Sequence, residues 1–188
     1  MKAPKSSTVS FVAPLVVCLS VLFANAAVHA GNPMYDSWSK HKAGTNVVLK
    51  NVSDMGGNKT ETEITYTLIE VTPEKVVVEM KSSMVVMGNK MDVPGMKMDI
   101  PAAAPAAPAT PADAPKVDSK TSEETVTVDG KDYKTTVSEV KMDQANSVST
   151  SKSWMCNDVP NLLVKSVTTM EKPMAGTMTT ELVKVELK

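Results

Sequence analysis

The feature that most constrains the fold is an alternation of apolar and polar side chains with a period of two residues. Thr60–Val71 and Lys75–Met87 both show it, and the three residues between them suit a tight turn. Such alternation predicts half-buried β-strands, and the short connection predicts a hairpin. The side chains predicted to face the core in this hairpin are Ile64, Tyr66, Leu68, Val76, Val78 and Met80.

Six further segments are predicted to be strands, and turn-forming residues separate them. Asp129-Gly130 is the strongest turn signal, because a type I′ turn needs positive φ at both central residues. We therefore predict an all-β fold, an antiparallel meander that forms a curved open sheet, a sandwich or a barrel. In the last strand Val183, Val185 and Leu187 are predicted to face the core. The six segments are Val47–Val52, Thr121–Val128, Lys131–Lys141, Ser147–Cys156, Leu162–Glu171 and Thr177–Leu187.

The segment before the first strand lacks this alternation. Asn32 suits a helix N-cap and Pro33 suits the first helical position, so we predict a short helix there. Tyr35 and Trp38, three residues apart, would then lie on one face of that helix. Gly44 would end it.

The N-terminus has the three parts of a secretory signal peptide. Lys2 and Lys5 are followed by an apolar run from about residue 9 to residue 27, and small residues end at Ala30. We predict that residues 1–30 are a signal peptide cleaved after Ala30. The mature protein is then exported, to the periplasm or beyond the cell, and is not an integral membrane protein.

Residues 101–115 are a low-complexity insert of proline and alanine, PAAAPAAPATPADAP. Proline at this frequency cannot pair within a sheet and favours an extended polyproline conformation. Because neither flank has enough large apolar residues for a core of its own, we predict one β domain over residues 31–188 that contains this insert.

Four groups of residues form a pattern that resembles a group of small exported bacterial proteins with no assigned function. The resemblance covers most of residues 38–187 outside the insert. Where that group has glycine after Val-Pro, this chain has Asn161, for which we expect a left-handed backbone. The groups are Trp38-x5-Gly44-Thr45-x-Val47; Tyr66–Thr72 with Lys75–Glu79; Trp154-x-Cys156-x-Asp158-Val159-Pro160 with Leu163–Lys165; and Thr179–Val183.

More distantly, the chain is similar to carriers of the lipoprotein-localisation type, which have a curved sheet over a short helix. This likeness implies a face that shelters acyl chains.

Charge and residue usage argue against several function classes. The net charge is −1 and all 20 basic residues are lysine, so the basic footprint of a nucleic-acid binder is missing. After the predicted cleavage, His41 is the only histidine and Cys156 the only cysteine, too few for a zinc site or a paired catalytic thiol. We therefore expect no enzymatic activity and no cofactor.

Our leading hypothesis is a non-catalytic binding domain for an apolar, lipid-like ligand or a protein partner. The predicted core-facing side chains of the sheet would bind it, since a core without phenylalanine is thin and a ligand could complete it. These candidate residues are Ile64, Tyr66, Leu68, Val76, Val78, Val164, Val183 and Val185, with the segment Met84–Met98 beside them.

Two alternatives remain open. Thioether sulfur suits Cu(I), and a loop over Met91–Met98 would present several sulfurs, so the chain could handle copper. Its candidate ligands are Met84, Met87, Met91, Met96 and Met98. The chain could instead be a passive structural component of the envelope. The protein is expected to be a monomer, or a dimer with an intermolecular disulfide through Cys156.

Overall fold

The computed structural model describes residues 31–86, 89–104, 117–144, 147–172 and 175–188. The predicted signal peptide and most of the Pro/Ala insert lie outside the described residues, so those predictions stay untested. The described part contains helix α1 (Pro33–Trp38) and the strands β1 (Asn46–Met55), β2 (Asn58–Val71), β3 (Lys75–Val86), β4 (Asn89–Pro101), β5 (Val117–Val128), β6 (Lys131–Gln144), β7 (Ser147–Met155), β8 (Leu163–Lys172) and β9 (Gly176–Glu186).

The strands form one antiparallel, open sheet with the order β4-β3-β2-β1-β9-β8-β7-β6-β5. This confirms the predicted all-β class, with a curved open sheet as its form. Two meanders, β1–β4 and β5–β9, meet where β1 pairs with β9. The chain between Pro101 and Val117, which includes the insert, therefore connects the two edge strands of the sheet.

Helix α1 forms as predicted at the sequence signals that precede the first strand. The Oδ1 atom of Asn32 accepts a hydrogen bond from the backbone N–H of Met34 at 3.1 Å, and Pro33 occupies the first turn. Trp38 is only 1% exposed, and it packs within the hydrophobic core cluster. The Tyr35 hydroxyl donates to the Thr72 carbonyl oxygen at 2.8 Å, which ties the helix to the β2–β3 turn.

Most of the turn from Cys156 to Leu162 is buried, with only Asn157 and Asp158 exposed, which is unusual for a connection between strands. Val159 is fully buried, and its carbonyl oxygen accepts a hydrogen bond from the Ser37 hydroxyl of α1 at 2.9 Å. The backbone N–H of Cys156 donates to the Leu162 carbonyl oxygen at 2.8 Å. The Cys-x-Asp-Val-Pro segment of the sequence pattern therefore packs the helix against the sheet.

The expectation that Asn161 would adopt a left-handed backbone was wrong. Leu162 has that conformation, with φ of 63°, and Asn161 does not. A left-handed backbone is unfavourable for leucine. Its side chain is 4% exposed, so the burial of that side chain offsets the strain. By contrast, Asp129 and Gly130 have φ of 50° and 74°, which agrees with the predicted type I′ turn.

A strand stands where we had predicted a loop over Met91–Met98. Strand β4 pairs with β3 along its length, with one register shift opposite Met80 and Ser82. The shift accommodates Pro94 and Gly95. Proline is tolerated at a bulge on an edge strand, because no further strand needs its missing N–H.

The predicted orientation of the last strand was wrong in part. A register shift between β1 and β9 opposite Val48 and Leu49 reverses the alternation. As a result Leu182 is buried, at 4% exposed, whereas Val183 is 43% exposed. Leu187 follows the last residue of β9 and is 53% exposed. Val185 is half-buried and packs against the core as predicted.

Candidate functional site

The residues predicted to bind an apolar ligand lie in three environments. Four of them belong to the core cluster and are at most 1% exposed, so other side chains of the protein already cover them. Their role in ligand binding stays a prediction, and a ligand could reach these four only if the sheet opened. The buried four are Leu68, Val76, Val78 and Val164; Ile64, Tyr66 and Val185 are half-buried, and Val183 is exposed on account of the shift in β9.

Tyr66 on β2 is half-buried at the border of the core cluster. Its ring packs against the core cluster, and burial raises the pKa of its phenol. Its cross-strand neighbours are Val47 on one side and Met80 on the other. We call the sheet face that carries Val47, Tyr66 and Met80 the core face, and its opposite the charged face.

The methionines between residues 80 and 98 come together on the core face of β3 and β4. Met80 is directly opposite Met96, and Met84 is directly opposite Met91. Side chains in such positions share a face, with Cβ atoms about 4.5–5.5 Å apart. Met87, a predicted metal ligand, lies outside the described residues. We call the described set the methionine surface: Met80, Met84, Met91, Val93, Met96 and Met98.

Half of the methionine surface is exposed although it continues the core face, and Met80, Met84 and Met98 are half-buried. Met91 is 60% exposed, Met96 is 56% exposed and Val93 is 47% exposed. They are neighbours on an edge strand, so together they form a contiguous apolar patch. Contiguous patches of this kind mark binding sites more often than isolated apolar residues do.

The charged face has a different character over the four neighbouring strands β2, β1, β9 and β8. Glu63, Lys50, Glu181 and Lys165 are cross-strand neighbours in one row over β2, β1, β9 and β8. The Lys165 Nζ atom lies 2.8 Å from Glu181 Oε1. Over these four strands the alternation of opposite charges suits a face in contact with water. On β7 and β6 the same row continues to Trp154 and Val137, which are buried.

Two open depressions, of about 180 Å³ and about 370 Å³, lie on the sheet. The first is lined in part by Glu63, Lys81 and Asp92, and the second in part by Glu124 and Lys134. Charged groups line both, whereas pockets for small molecules are mostly apolar. The methionine surface is therefore the better candidate site.

Trp154 is held by a polar cluster on β5, β7 and β8. Its Nε1–H donates to Glu124 Oε2 at 2.7 Å, and the Lys152 Nζ atom lies 4.6 Å from the centre of the ring. The hydrogen bond from Trp154, followed by that from Lys152, lowers the pKa of the Glu124 carboxyl. These contacts fix Trp154 within the fold. They also occupy the indole N–H, the Glu124 carboxylate and the Lys152 ammonium group, which a ligand would otherwise bind.

The other candidate residues of the sequence do not assemble into a site. Cys156 is 5% exposed, so an intermolecular disulfide would require the buried turn to open. His41 follows α1 and is half-buried; burial, then the charge of Lys40, lowers the pKa of its imidazole. Among the described residues, no three His, Cys, Asp or Glu side chains lie close enough together to hold a metal ion.

Sequence reasoning missed one member of the methionine surface, Met80, as a candidate binding residue, because it was predicted only as a core-facing residue. Val93 lay within the candidate segment Met84–Met98, but in a predicted loop. The missing information was the β3–β4 pairing, because Pro94-Gly95 is typical of a loop. The signal that could have revealed it is the spacing of Met91, Val93, Met96 and Met98, which places all four on one face once a single bulge is allowed.

None of the helices in the described part of the chain is long and apolar enough to span a membrane. No protein family matches the chain, and no curated protein sequence matches it. Among solved structures, the chain is similar to a protein from Bacteroides fragilis described as exported and as having a YmcC-like fold. The TM-score is 0.48 at 10% identity, over 78% of this chain and 97% of that one. It is also similar to a protein from Parabacteroides distasonis described as a lipoprotein, with a TM-score of 0.40 at 12% identity, over 78% of this chain and 96% of that one.

Proposed function

We propose that this protein is an exported, non-catalytic binding domain that holds an apolar, lipid-like ligand on the methionine surface. The observation that carries the proposal is the exposure of Met91, Val93 and Met96 on the face that elsewhere forms the core. Methionine is unbranched and polarisable, so such a surface adapts to ligands of varied shape. The export follows from the signal-peptide pattern of residues 1–30.

The size of the patch sets what it contributes to affinity. Full burial of a large apolar side chain stabilises a complex by about 1.5–3 kcal/mol, and these three are about half exposed. Covering them therefore contributes on the order of 3 kcal/mol, which corresponds to a Kd weaker than about 1 mM. A ligand bound more tightly must also contact neighbouring parts of the core face.

The test compares two valines on opposite faces of one hairpin. Val93 on the core face is 47% exposed and Val85 on the charged face is 44% exposed. We expect Val93→Lys to weaken binding of the neutral apolar dye Nile red at least about fivefold, because it places a charge on the surface that binds. Val85→Lys, the matched control, should leave dye binding unchanged.

The two outcomes that would overturn the proposal are equal effects of the two substitutions and no dye binding by the unmodified protein. Native mass spectrometry of the protein recovered from its own envelope provides an independent measurement. We expect a bound lipid or an apolar partner segment. Recovery with neither would favour a passive structural component.

A second candidate function is Cu(I) handling, and the two opposed methionine pairs favour it. Met80 with Met96, and Met84 with Met91, each place two thioethers on one face of adjacent strands. Soft thioether ligands select Cu(I). The two pairs lie four residues apart along β3, about 13 Å, so each would form a separate site. Met98, two residues from Met96 on the same face, could add a third sulfur to the pair of Met80 and Met96.

Anaerobic titration with Cu(I), in competition with a chromogenic chelator, tests this candidate. Replacing Met91, Met96 and Met98 together by leucine should lower the Cu(I) affinity at least about tenfold, since leucine keeps the apolar shape but removes the sulfur. The control triple variant changes Met34, Met155 and Met178, which are outside the methionine surface. Equal affinity in the two triple variants removes the copper hypothesis.

A further inference from the structure

A row of uncharged side chains crosses the core face of the sheet and ends at the methionine surface. Successive cross-strand partners in this row are small polar residues, one from each of β6, β7, β8, β9, β1 and β2. The Nδ2 atom of Asn51 donates to the Thr180 hydroxyl at 2.8 Å within it. We call it the hydroxyl row; from β6 to β2 it consists of Ser138, Ser153, Ser166, Thr180, Asn51 and Thr62, and it continues to Met84 and Met91.

The next row on the same face repeats this chemistry. Ser151 and Thr168 are cross-strand partners, and their hydroxyl oxygens lie 3.1 Å apart. Ser53 and Thr60 extend this row on β1 and β2. Both hydroxyls of the Ser151–Thr168 pair belong to half-buried residues, so they lie at the surface of the face and a ligand can reach them.

Neither row contains a charged side chain, although the chain has 20 lysines and 21 acidic residues. On the opposite face, a single row next to the hydroxyl row contains Lys50, Glu63, Lys165 and Glu181. The alternation of strand side chains therefore separates charge from hydroxyl and thioether groups. A charged ligand group placed on the core face would lose water and meet no counter-charge, which is costly.

Hydroxyl groups both donate and accept hydrogen bonds, so they match the hydroxyl and carbonyl oxygens of an uncharged head group. In the hydroxyl row Asn51, Thr62 and Ser153 are at most 9% exposed, so the side chains that a ligand can reach there are the half-buried Thr180, Ser166 and Ser138. Thr60 of the next row is also half-buried, and it lies on β2, the strand next to β3, at a strand spacing of about 5 Å. One molecule can therefore contact these hydroxyls and the methionine surface. The hydroxyls also supply contacts beyond the methionine surface, which by itself would bind a ligand only weakly.

We infer that the ligand is an uncharged amphiphile, whose apolar chain lies on the methionine surface and whose neutral oxygen-rich head group lies on the half-buried hydroxyls of the hydroxyl row and of the row beside it. This inference rests on the proposed function. The hydroxyls would discriminate between lipid-like molecules by their head groups. The methionine surface cannot do so, because it contacts only the acyl chain, which is the same in lipids with different head groups.

The test measures displacement of Nile red by three compounds that share a palmitoyl chain: the uncharged monoacylglycerol, the fatty acid anion and the anionic lysophosphatidylglycerol. Measurements at pH 8, below the micelle concentration of each, keep both anions charged. The monoacylglycerol is expected to bind at least about tenfold more tightly than either anion, a difference of about 1.4 kcal/mol. Equal or tighter binding of the anions overturns this inference while leaving the proposed function intact. Binding of none of the three overturns both.

Two neighbouring threonines on opposite faces provide the matched variants. Thr168 lies on the core face and is half-buried, and Thr169 lies on the opposite face and is exposed. Thr168→Val removes the hydroxyl with little change of shape and should weaken monoacylglycerol binding about threefold or more, whereas Thr169→Val should not. Thr168→Lys should shift the preference towards the palmitate anion, relative to Thr169→Lys. If both valine variants bind like the unmodified protein, the head group does not contact the hydroxyls and the inference fails.

Discussion

The two ends of the β3–β4 hairpin differ in burial although they share strands, a face and apolar side chains. Near α1, Val76 and Val78 are at most 1% exposed. At the far end, Met91 and Val93 are 60% and 47% exposed. Helix α1 and the buried turn after β7 pack at the first end, where Trp38 and Val159 join the core. Apolar alternation thus determines which face is apolar, and packing by other elements determines how much of that face is covered.

The strongest test of this comparison truncates Trp38, the side chain of α1 that is buried against the core face. Trp38→Ala should lower the free energy of unfolding by about 3–5 kcal/mol, the usual cost of truncating a buried tryptophan. Urea denaturation followed by circular dichroism measures it. A loss below about 1 kcal/mol would mean that the helix contributes little to the covered end.

The same substitution at the two ends of the hairpin sharpens the comparison. Val78→Ala should cost about 2 kcal/mol, because it removes buried methyl groups and leaves a cavity. Val93→Ala should change stability by less than about 0.5 kcal/mol, as is usual for an exposed site. Both values come from the same denaturation experiment. Equal costs would contradict the assignment of Val93 to an uncovered surface.

A smaller effect is expected from the hydrogen bond that joins the helix to the buried turn. Ser37→Ala removes the donor to the Val159 carbonyl oxygen, and a lost bond of this kind costs about 1 kcal/mol. Ser39→Ala is the control, because its hydroxyl bonds to the Asp36 carbonyl oxygen at an exposed position. If the two variants were equally stable, the turn would not hold the helix through this contact.

The smallest effect concerns pH at the covered end. Burial lowers the pKa of His41 from its ordinary value of 6.5, so the unfolded chain binds this proton more readily than the folded chain. This contribution to stability is present above about pH 6.5 and is lost as the pH falls through the lower folded-state pKa. Thermal unfolding between pH 7.5 and pH 5 should show a steeper decline for the unmodified protein than for His41→Gln. Parallel declines would show that folding does not lower the pKa of His41.

The fold class could be predicted from the sequence because its signals are local. The alternation in residues 60–71, the Asp129-Gly130 turn and the Asn32 cap each need only a few neighbouring residues, and each agrees with the structure. The errors came where pairing between strands overrides local preference. Pro94-Gly95 is typical of a loop, yet β3 pairs with the chain on both sides of it.

The candidate site was predictable only in part for the same reason. The sequence showed that methionines cluster between residues 80 and 98, but it gave no means of knowing that Met80 is opposite Met96 and Met84 opposite Met91. Likewise, the buried position of Leu182 in place of Val183 depends on one register shift against β1. Cross-strand register is a long-range property, so a single sequence does not specify it.

By itself, then, the sequence determined the strand content, the turn positions, the short helix and the chemistry available to each face. Side-chain alternation is a property of any extended strand, so these follow without knowledge of the partners. Only the tertiary structure decided which strands pair, where bulges reverse a face, and which end of the core face is covered by α1. Those depend on contacts between segments far apart in the chain, such as Ser37 with Val159, and they leave the methionine surface exposed.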